Sequence, residues 1–252
     1  MDREMARIRS KLPVFKKRIE EADAIVKKAL GMMKKPYVSC SFGKDSVVLL
    51  HLVLRHSAEI DVIFINSQYC FPDTYEVRDT FKEKHNINMI ELKQPHDYID
   101  IINQYGLPDE RTSYEQKKVV ELLKKDLANA FAYEHGYDGN FWGMRKDESR
   151  KRKWLLNTKG PIFWAEQAKL WRISPLTNWT WDDIWTYIHF YEVPYSKIYD
   201  KHGFCDPKQI RNTSYVTTDG ATINGRVAWL RYYYPDIYNR LSQTIPEIRR
   251  YV

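Results

Sequence analysis

The chain has 252 residues, 43% of them hydrophobic and 29% charged, with only 10 glycines and 11 prolines. That balance suits one large folded domain, or one with a modest appendage, and excludes a disordered, low-complexity or fibrous chain. A count of 40 Lys and Arg against 33 Asp and Glu leaves +7, which favours an anionic partner (nucleic acid or a nucleotide) or is balanced by solvent counter-ions alone.

Apolar runs such as 60–65 (interrupted by Asp61) and 47–50 are far too short to cross a bilayer, and the charged start (Met1, Asp2, Arg3, Glu4) lacks the apolar stretch of a secretory signal. No membrane contact and a cytoplasmic location are therefore expected. Cys40, Cys70 and Cys205 are odd in number, widely spaced and include no Cys-x-x-Cys pair. Neither a disulfide framework nor a thiolate-held zinc or iron–sulfur cluster is expected.

Met5, Ile8, Leu12, Phe15, Ile19, Ala22, Ile25, Val26 and Leu30 recur at three- and four-residue steps. The spacing predicts an amphipathic helix, or two split near Pro13, stopping at Gly31. Its apolar side is expected to pack on the domain, with a homodimer contact as the second reading. Residues 37–40 read as a strand, 41–46 as a polar turn and 47–56 as a helix. The β-branched run 61–66 is of the kind buried on both faces of a parallel sheet. A helix over 73–85, a strand over 88–92, one long helix over 114–135 and strands over 139–143 and 170–174 continue the alternation. Together they predict an open α/β sheet with helices on both faces. The last third reads as helical over 180–191, with Thr180 as N-cap, over 226–233 and over 235–241. The expected plan is an N-terminal helix (1–33), an α/β domain (34–176) and an aromatic-rich helical subdomain (177–252) lying over the strand ends.

The sharpest feature is the run Ser39-Cys40-Ser41-Phe42-Gly43-Lys44-Asp45-Ser46 between a strand and a helix. A glycine-containing turn at a helix start aims backbone N–H groups and the positive dipole end at an anion. Ser41 and Ser46 add hydroxyl donors, and Lys44 adds a charge. The run is not a Walker A loop, because Val38 stands where that motif needs glycine and Asp45 where it needs Ser or Thr. On spacing alone, a strand–turn–helix without a ligand is the alternative.

The segment 41–46 resembles the pyrophosphate loop (PP-loop) of the adenine-nucleotide α-hydrolase superfamily, and more narrowly of the phosphoadenosine phosphosulfate (PAPS) reductase family. Three further segments resemble that family in order. They are Phe64-Ile65-Asn66-Ser67 with Phe71-Pro72-Asp73-Thr74-Tyr75, then Gly143-Met144-Arg145-Lys146-Asp147-Glu148-Ser149, then the stretch from Pro175-Leu176 through Trp179-Thr180 and Asp183-Ile184-Trp185 to Pro194-Tyr195. The resemblance spans roughly residues 36–205. It implies a five-stranded parallel sheet binding ATP or PAPS at the carboxyl ends of its strands, with 34–176 as the nucleotide-binding domain. Phosphates would sit on Ser41, Phe42, Gly43 and Ser46, and adenine against the backbone near Phe64, Asn66 and Ser67, with Gly143 alongside. Lys44, Asp45, Arg145 and Glu148 are the implied catalytic residues. Arg145 would stabilise charge developing on a phosphate or sulfate, and Asp45 would bridge Mg2+ if ATP is the ligand. Glu148 would hold Arg145 or act on a metal, or only complement a helix dipole.

The departures shape the expected reaction. PAPS reductases carry a nucleophilic cysteine in a C-terminal Glu-Cys-Gly-(Leu/Ile)-His tail, whereas this sequence reads Pro246-Glu247-Ile248-Arg249-Arg250-Tyr251-Val252 and has no cysteine after Cys205. The Cys-Cys pair of the related adenosine phosphosulfate reductases is replaced by the stretch from Arg111-Thr112-Ser113-Tyr114 to Lys117-Lys118, so no iron–sulfur cluster is expected. Asn66-Ser67-Gln68 replaces the family's Asp-Thr-Gly. The leading expectation is an enzyme acting at the α-phosphate by adenylation with pyrophosphate release, on a nucleic-acid or sulfur-carrier acceptor. A thiol-dependent PAPS reductase using Cys40, Cys70 or Cys205 is the second, and a non-catalytic nucleotide- or nucleic-acid-binding module the third. Two basic segments fit a nucleic-acid partner or a solvated face: Trp229, Tyr232, Tyr233, Tyr234 and Tyr238 among Arg226, Arg231 and Arg240, and the run Lys146, Arg150, Lys151, Arg152 and Lys153.

Overall fold

The computed structural model describes residues 3–123, 127–203, 210, 212–216 and 225–252. The chain opens with helices α1 (Arg3–Arg9) and α2 (Pro13–Met32), and Pro13 takes the first-turn position where its missing N–H costs nothing. Of the two readings, the split near Pro13 holds, whereas α2 runs through Gly31 to Met32. Phe15, Ala22, Val26 and Ala29 form the inward stripe of α2, and Phe15 packs edge-on against Trp179. Arg9 and Arg18 both pair with the buried Asp183.

Six strands follow: β1 (Pro36–Ser39), β2 (Asp61–Asn66), β3 (Met89–Lys93), β4 (Gly139–Phe141), β5 (Ile162–Ala165) and β6 (Leu170–Ile173), in the sheet order β3-β2-β1-β4-β6-β5. The strands β2, β1, β4 and β6 pair in parallel, and β5 pairs antiparallel with β6 at the edge. The sheet is thus mixed, with one strand more than expected. The run 162–165 lies two residues beyond a helix and returns through a tight turn, so it makes a hairpin rather than a helical crossover.

Register assigns the faces. Tyr37 lies opposite Asp61 and Ser39 opposite Ile63, so Tyr37 and Ile63 share one face and Val38, Val62 and Phe64 the other. Tyr37 and Ile63 pack with Ala128, Ala132 and Phe131 of helix α7 (Leu127–Glu134). On the other face Phe64 meets Phe42 ahead of α3 (Lys44–Leu54), and Phe42 meets Phe81 of α4 (Pro72–His85). The sheet therefore carries helices on both faces, as expected.

The chain divides into two compact units. One comprises residues 1–65, 74–92 and 127–196, and the other 66–73, 93–126 and 197–252. The second contains α5 (Tyr98–Tyr105), α6 (Ser113–Leu123), α10 (Arg226–Tyr233), α11 (Pro235–Thr244) and a terminal 3-10 turn (Pro246–Tyr251). The long helix expected over 114–135 is described as α6 and α7, and the boundary between units falls between them. Helices α8 (Arg150–Lys159) and α9 (Trp181–Phe190) belong to the first unit. Among the described residues no helix is long and apolar enough to cross a membrane.

Candidate functional site

Strand order marks where a candidate site would lie. β2 and β4 flank β1 on opposite sides, so the chain changes direction across the sheet between β1 and β4, and open α/β sheets bind ligands at the carboxyl ends of such strands. The loops leaving β1 and β4 carry residues 40–43 and 142–145.

The first loop is locked from below. Cys40 N–H donates to the Ile63 carbonyl at 3.0 Å, and the fully buried Phe42 adopts φ 55°, a left-handed geometry uncommon for a side-chain-bearing residue. Burial of its ring against Phe64 and Phe81 offsets that strain. The rings of Phe42 and Phe64 are thus core, and what either presents to a ligand is backbone. Gly43 is the N-cap of α3 and has no side chain to cap it. The Ser46 hydroxyl donates to the Gly43 carbonyl at 3.0 Å and lies 3.3 Å from that of Ser41. The expected turn therefore ends three residues earlier than 46, and α3 begins at Lys44.

A compact ion network stands on this helix start. Asp45 accepts from Lys44 Nζ at 2.7 Å and from Arg145 Nε at 2.6 Å. Arg145, 3% exposed, also donates through Nη1 to Asp147 at 3.1 Å and to the Trp179 carbonyl at 3.4 Å. Its Nη2 is bonded to no described residue. Burial would raise the Asp45 pKa, but the charges of Lys44 and Arg145 outweigh it and hold the carboxyl below its ordinary value. Gly143 makes the approach of the two loops feasible: a Cβ there would lie 3.2 Å from the Asp45 backbone carbon.

Glu148 is spent on architecture. It accepts from the Arg145 backbone N–H at 3.0 Å and pairs with Arg152, so it fixes the turn that carries Arg145. Asn66 and Ser67 belong to the second unit and have partners there. The Asn66 side chain accepts from Gln68 N–H at 2.7 Å, and the Ser67 hydroxyl donates to the Thr213 carbonyl at 3.0 Å. Sequence reasoning missed Asp147 and Trp181. Asp147 binds both Arg145 and the Trp181 N–H, and the Trp181 ring lies 5.0 Å from Lys44 Nζ in a cation–π contact. Both lie inside motifs already noted, but nothing local marks them as neighbours of residue 45.

A magnesium ion would find in Asp45 a carboxylate whose two oxygens already serve two cations, so the residues present fit an anion better than a metal. Among the described residues no three His, Cys, Asp or Glu side chains converge as a ligand set. Burial pushes the Cys40 thiol up to about 12. Cys70 is buried in the second unit and donates to the Thr213 carbonyl at 3.0 Å, and Cys205 lies outside the described residues. In the C-terminal helices Trp229 and Tyr238 are buried, and Trp229 packs edge-on against Phe71, so those aromatics serve the core of the second unit, with Tyr232 exposed.

The model of the phosphoadenosine phosphosulfate reductase domain matches residues 35–241. Adenosine 5'-phosphosulfate reductase 2 of Bacillus subtilis is 30% identical over 181 residues, covering 67% of this chain and 69% of its own. Sulfate adenylyltransferase subunit 2 of Pseudomonas fluorescens is 25% identical over 212 residues, covering 75% and 67%. Among solved structures, PAPS reductase from Candida auris in its phosphate complex shares the fold at TM-score 0.57 and 21% identity, covering 71% of this chain and 83% of that one. FMN adenylyltransferase from Candida glabrata in complex with ATP does so at TM-score 0.51 and 14% identity, covering 75% and 59%. With a family model spanning most of its length and a relative of this similarity, the chain belongs to the phosphoadenosine phosphosulfate reductase domain family.

Proposed function

We propose that this chain seats the anionic chain of an adenine nucleotide, ATP or PAPS, on residues 41–46 and, with ATP, transfers the adenylyl group to an acceptor with release of pyrophosphate. The observation that carries the reading is the Lys44–Asp45–Arg145 network at the start of α3, with both cations buried. It holds two cations in fixed positions beside a helix N-terminus, and Arg145 keeps Nη2 uncommitted, which is how preorganised charge stabilises an oxyanion. The acceptor's nucleophilic atom would attack the α-phosphorus, and the bond to the bridging oxygen would break. The electron pair would leave on pyrophosphate, with Lys44 and Arg145 meeting the charge that develops. A relative named for adenylyl transfer and a fold neighbour solved with ATP support this chemistry. The acceptor is a nucleic acid or a sulfur-carrying partner.

The test is pyrophosphate release from ATP and Mg2+ across RNA, DNA and persulfide donors. Release above background that falls at least a hundredfold in Arg145→Ala is expected, and none with any acceptor overturns the reading.

The Bacillus subtilis relative, named a reductase, favours a second reading. Reductive cleavage of a sulfonucleotide needs a thiolate, and Cys40 and Cys70 are both buried, so the role would fall to Cys205. Sulfite release from PAPS with reduced thioredoxin, abolished by Cys205→Ser, would establish it. No sulfite under those conditions would remove it.

A further inference from the structure

Helix α8 is built against its own electrostatics. Its sequence RKRKWLLNTK has five cations and no acid, and four of the cations occupy its first turn, where the helix dipole disfavours positive charge. Only Arg152 has a carboxylate partner, Glu148, among the described residues. Arg150, Lys151 and Lys153 are exposed and have none. At 100° per residue Arg150, Lys151, Trp154, Asn157 and Thr158 fall on one outward stripe with Lys153 at its border, while Leu156 is the buried anchor. Trp154 is 66% exposed, and its ring touches no other described ring. A large apolar ring left in water between unpaired cations serves neither helix stability nor the core.

We infer that this face of α8 binds single-stranded nucleic acid, the cations taking phosphates and Trp154 stacking on a base. Charge complementarity selects a polyanion, and the lone flat ring flanked by hydrogen-bonding Asn157 and Thr158 selects one with exposed bases. A membrane-surface helix would present several aliphatic side chains on that face, and α8 presents none. The surface is continuous with the candidate site: Ser149 caps α8, and Glu148 joins Arg152 to the Arg145 backbone. In naming the acceptor class of the proposed adenylyl transfer, the inference rests on that reading, whereas the binding itself does not.

Fluorescence anisotropy of the full chain with labelled 12-residue oligo-U and oligo-dT, each also as a duplex, tests it. Single strands of either sugar should bind more tightly than duplexes, with affinity falling steeply as salt rises, and the tighter of the two oligomers marks an RNA or a DNA acceptor. Lys151→Ala with Lys153→Ala should lower the log–log salt slope by about 1.4, at ~0.7 per phosphate contact. Trp154→Ala should weaken binding on the order of tenfold with the slope unchanged, and Trp154→Phe should restore most of it. Nucleotide binding, read by thermal shift with ATP, should be unaltered in all three. Absence of oligomer binding, equal affinity in the variants, equal competition by poly-glutamate, or binding only to anionic vesicles overturns the inference. Loss of the ATP shift in Arg145→Ala with oligomer binding intact would leave it standing. No ATP shift in the unsubstituted chain would count against the proposed function alone.

Discussion

Arg145 and the cations of α8 lie within ten residues of one another in sequence, and the fold treats them in opposite ways. Arg145 is 3% exposed, with donors fixed on Asp45, Asp147 and the Trp179 carbonyl, and Lys44 shares its carboxylate. Arg150, Lys151 and Lys153 stand in water with no carboxylate among the described residues. A buried charge must be paired, and pairing fixes its position, which suits a small anion met at defined atoms. An exposed charge keeps its hydration and its freedom, which suits a long, yielding polyanion. The difference is one of solvent access, since the residue types are the same.

The largest expected effect separates the two groups directly. Arg145→Ala leaves the largely buried Asp45 with one cation fewer, and removing one partner of such a pair costs up to about 3–5 kcal/mol. Lys151→Ala should change stability by less than about 0.5 kcal/mol. Urea unfolding of both variants checks this, and equal losses would erase the distinction.

The rigidity of the buried group also depends on what lies beneath it. Phe42→Ala removes a fully buried ring packed on Phe64 and Phe81, and should cost about 3–4 kcal/mol by the same measurement. A loss under 1 kcal/mol would mean that the loop is held by its ions and not by its ring.

Acid should act on the interior of the first unit while leaving α8 charged. His51 is held down to about 4 by burial, with the nearby positive charges of His85 and Arg55 adding to it. Its folded value lies below the unfolded 6.5, so the unfolded chain takes the proton first. Stability should therefore fall as pH drops from 6.5 towards 4, by on the order of 1–2 kcal/mol after allowance for partial solvent access, and His51→Gln should flatten that limb. Asp45, also depressed, contributes in full above its ordinary 3.8 and loses its contribution only as pH falls through its lower folded value. Melting temperatures across pH 3 to 7 separate the two windows, and a limb unchanged in His51→Gln would assign the loss elsewhere.

A small effect is expected where the two groups meet. Arg152→Ala removes the partner of Glu148 at a half-exposed pair and should cost about 0.5 kcal/mol. A loss above 2 kcal/mol would place Arg152 with the buried group instead.

What could be read from the residues alone was whatever depends on near neighbours in the chain. The alternation of β-branched runs and amphipathic stretches announced an open α/β sheet. The turn before a helix start was legible near 41–46, because a glycine there acts within a few residues, and α3 does begin at Lys44. The hairpin strand β5 escaped notice because four apolar residues carry no period of their own. Solvent access was decided only in three dimensions. Asp45 and Arg145 are 100 residues apart in sequence, and their pairing follows from β1 and β4 lying side by side with Gly143 thin enough to let the loops meet. The same packing sank the rings of Phe42 and Phe64 and left Trp154 in water. Periodicity marked the inward stripe of α2, but which loop rings and which cations end in water depends on the layers that pack against them.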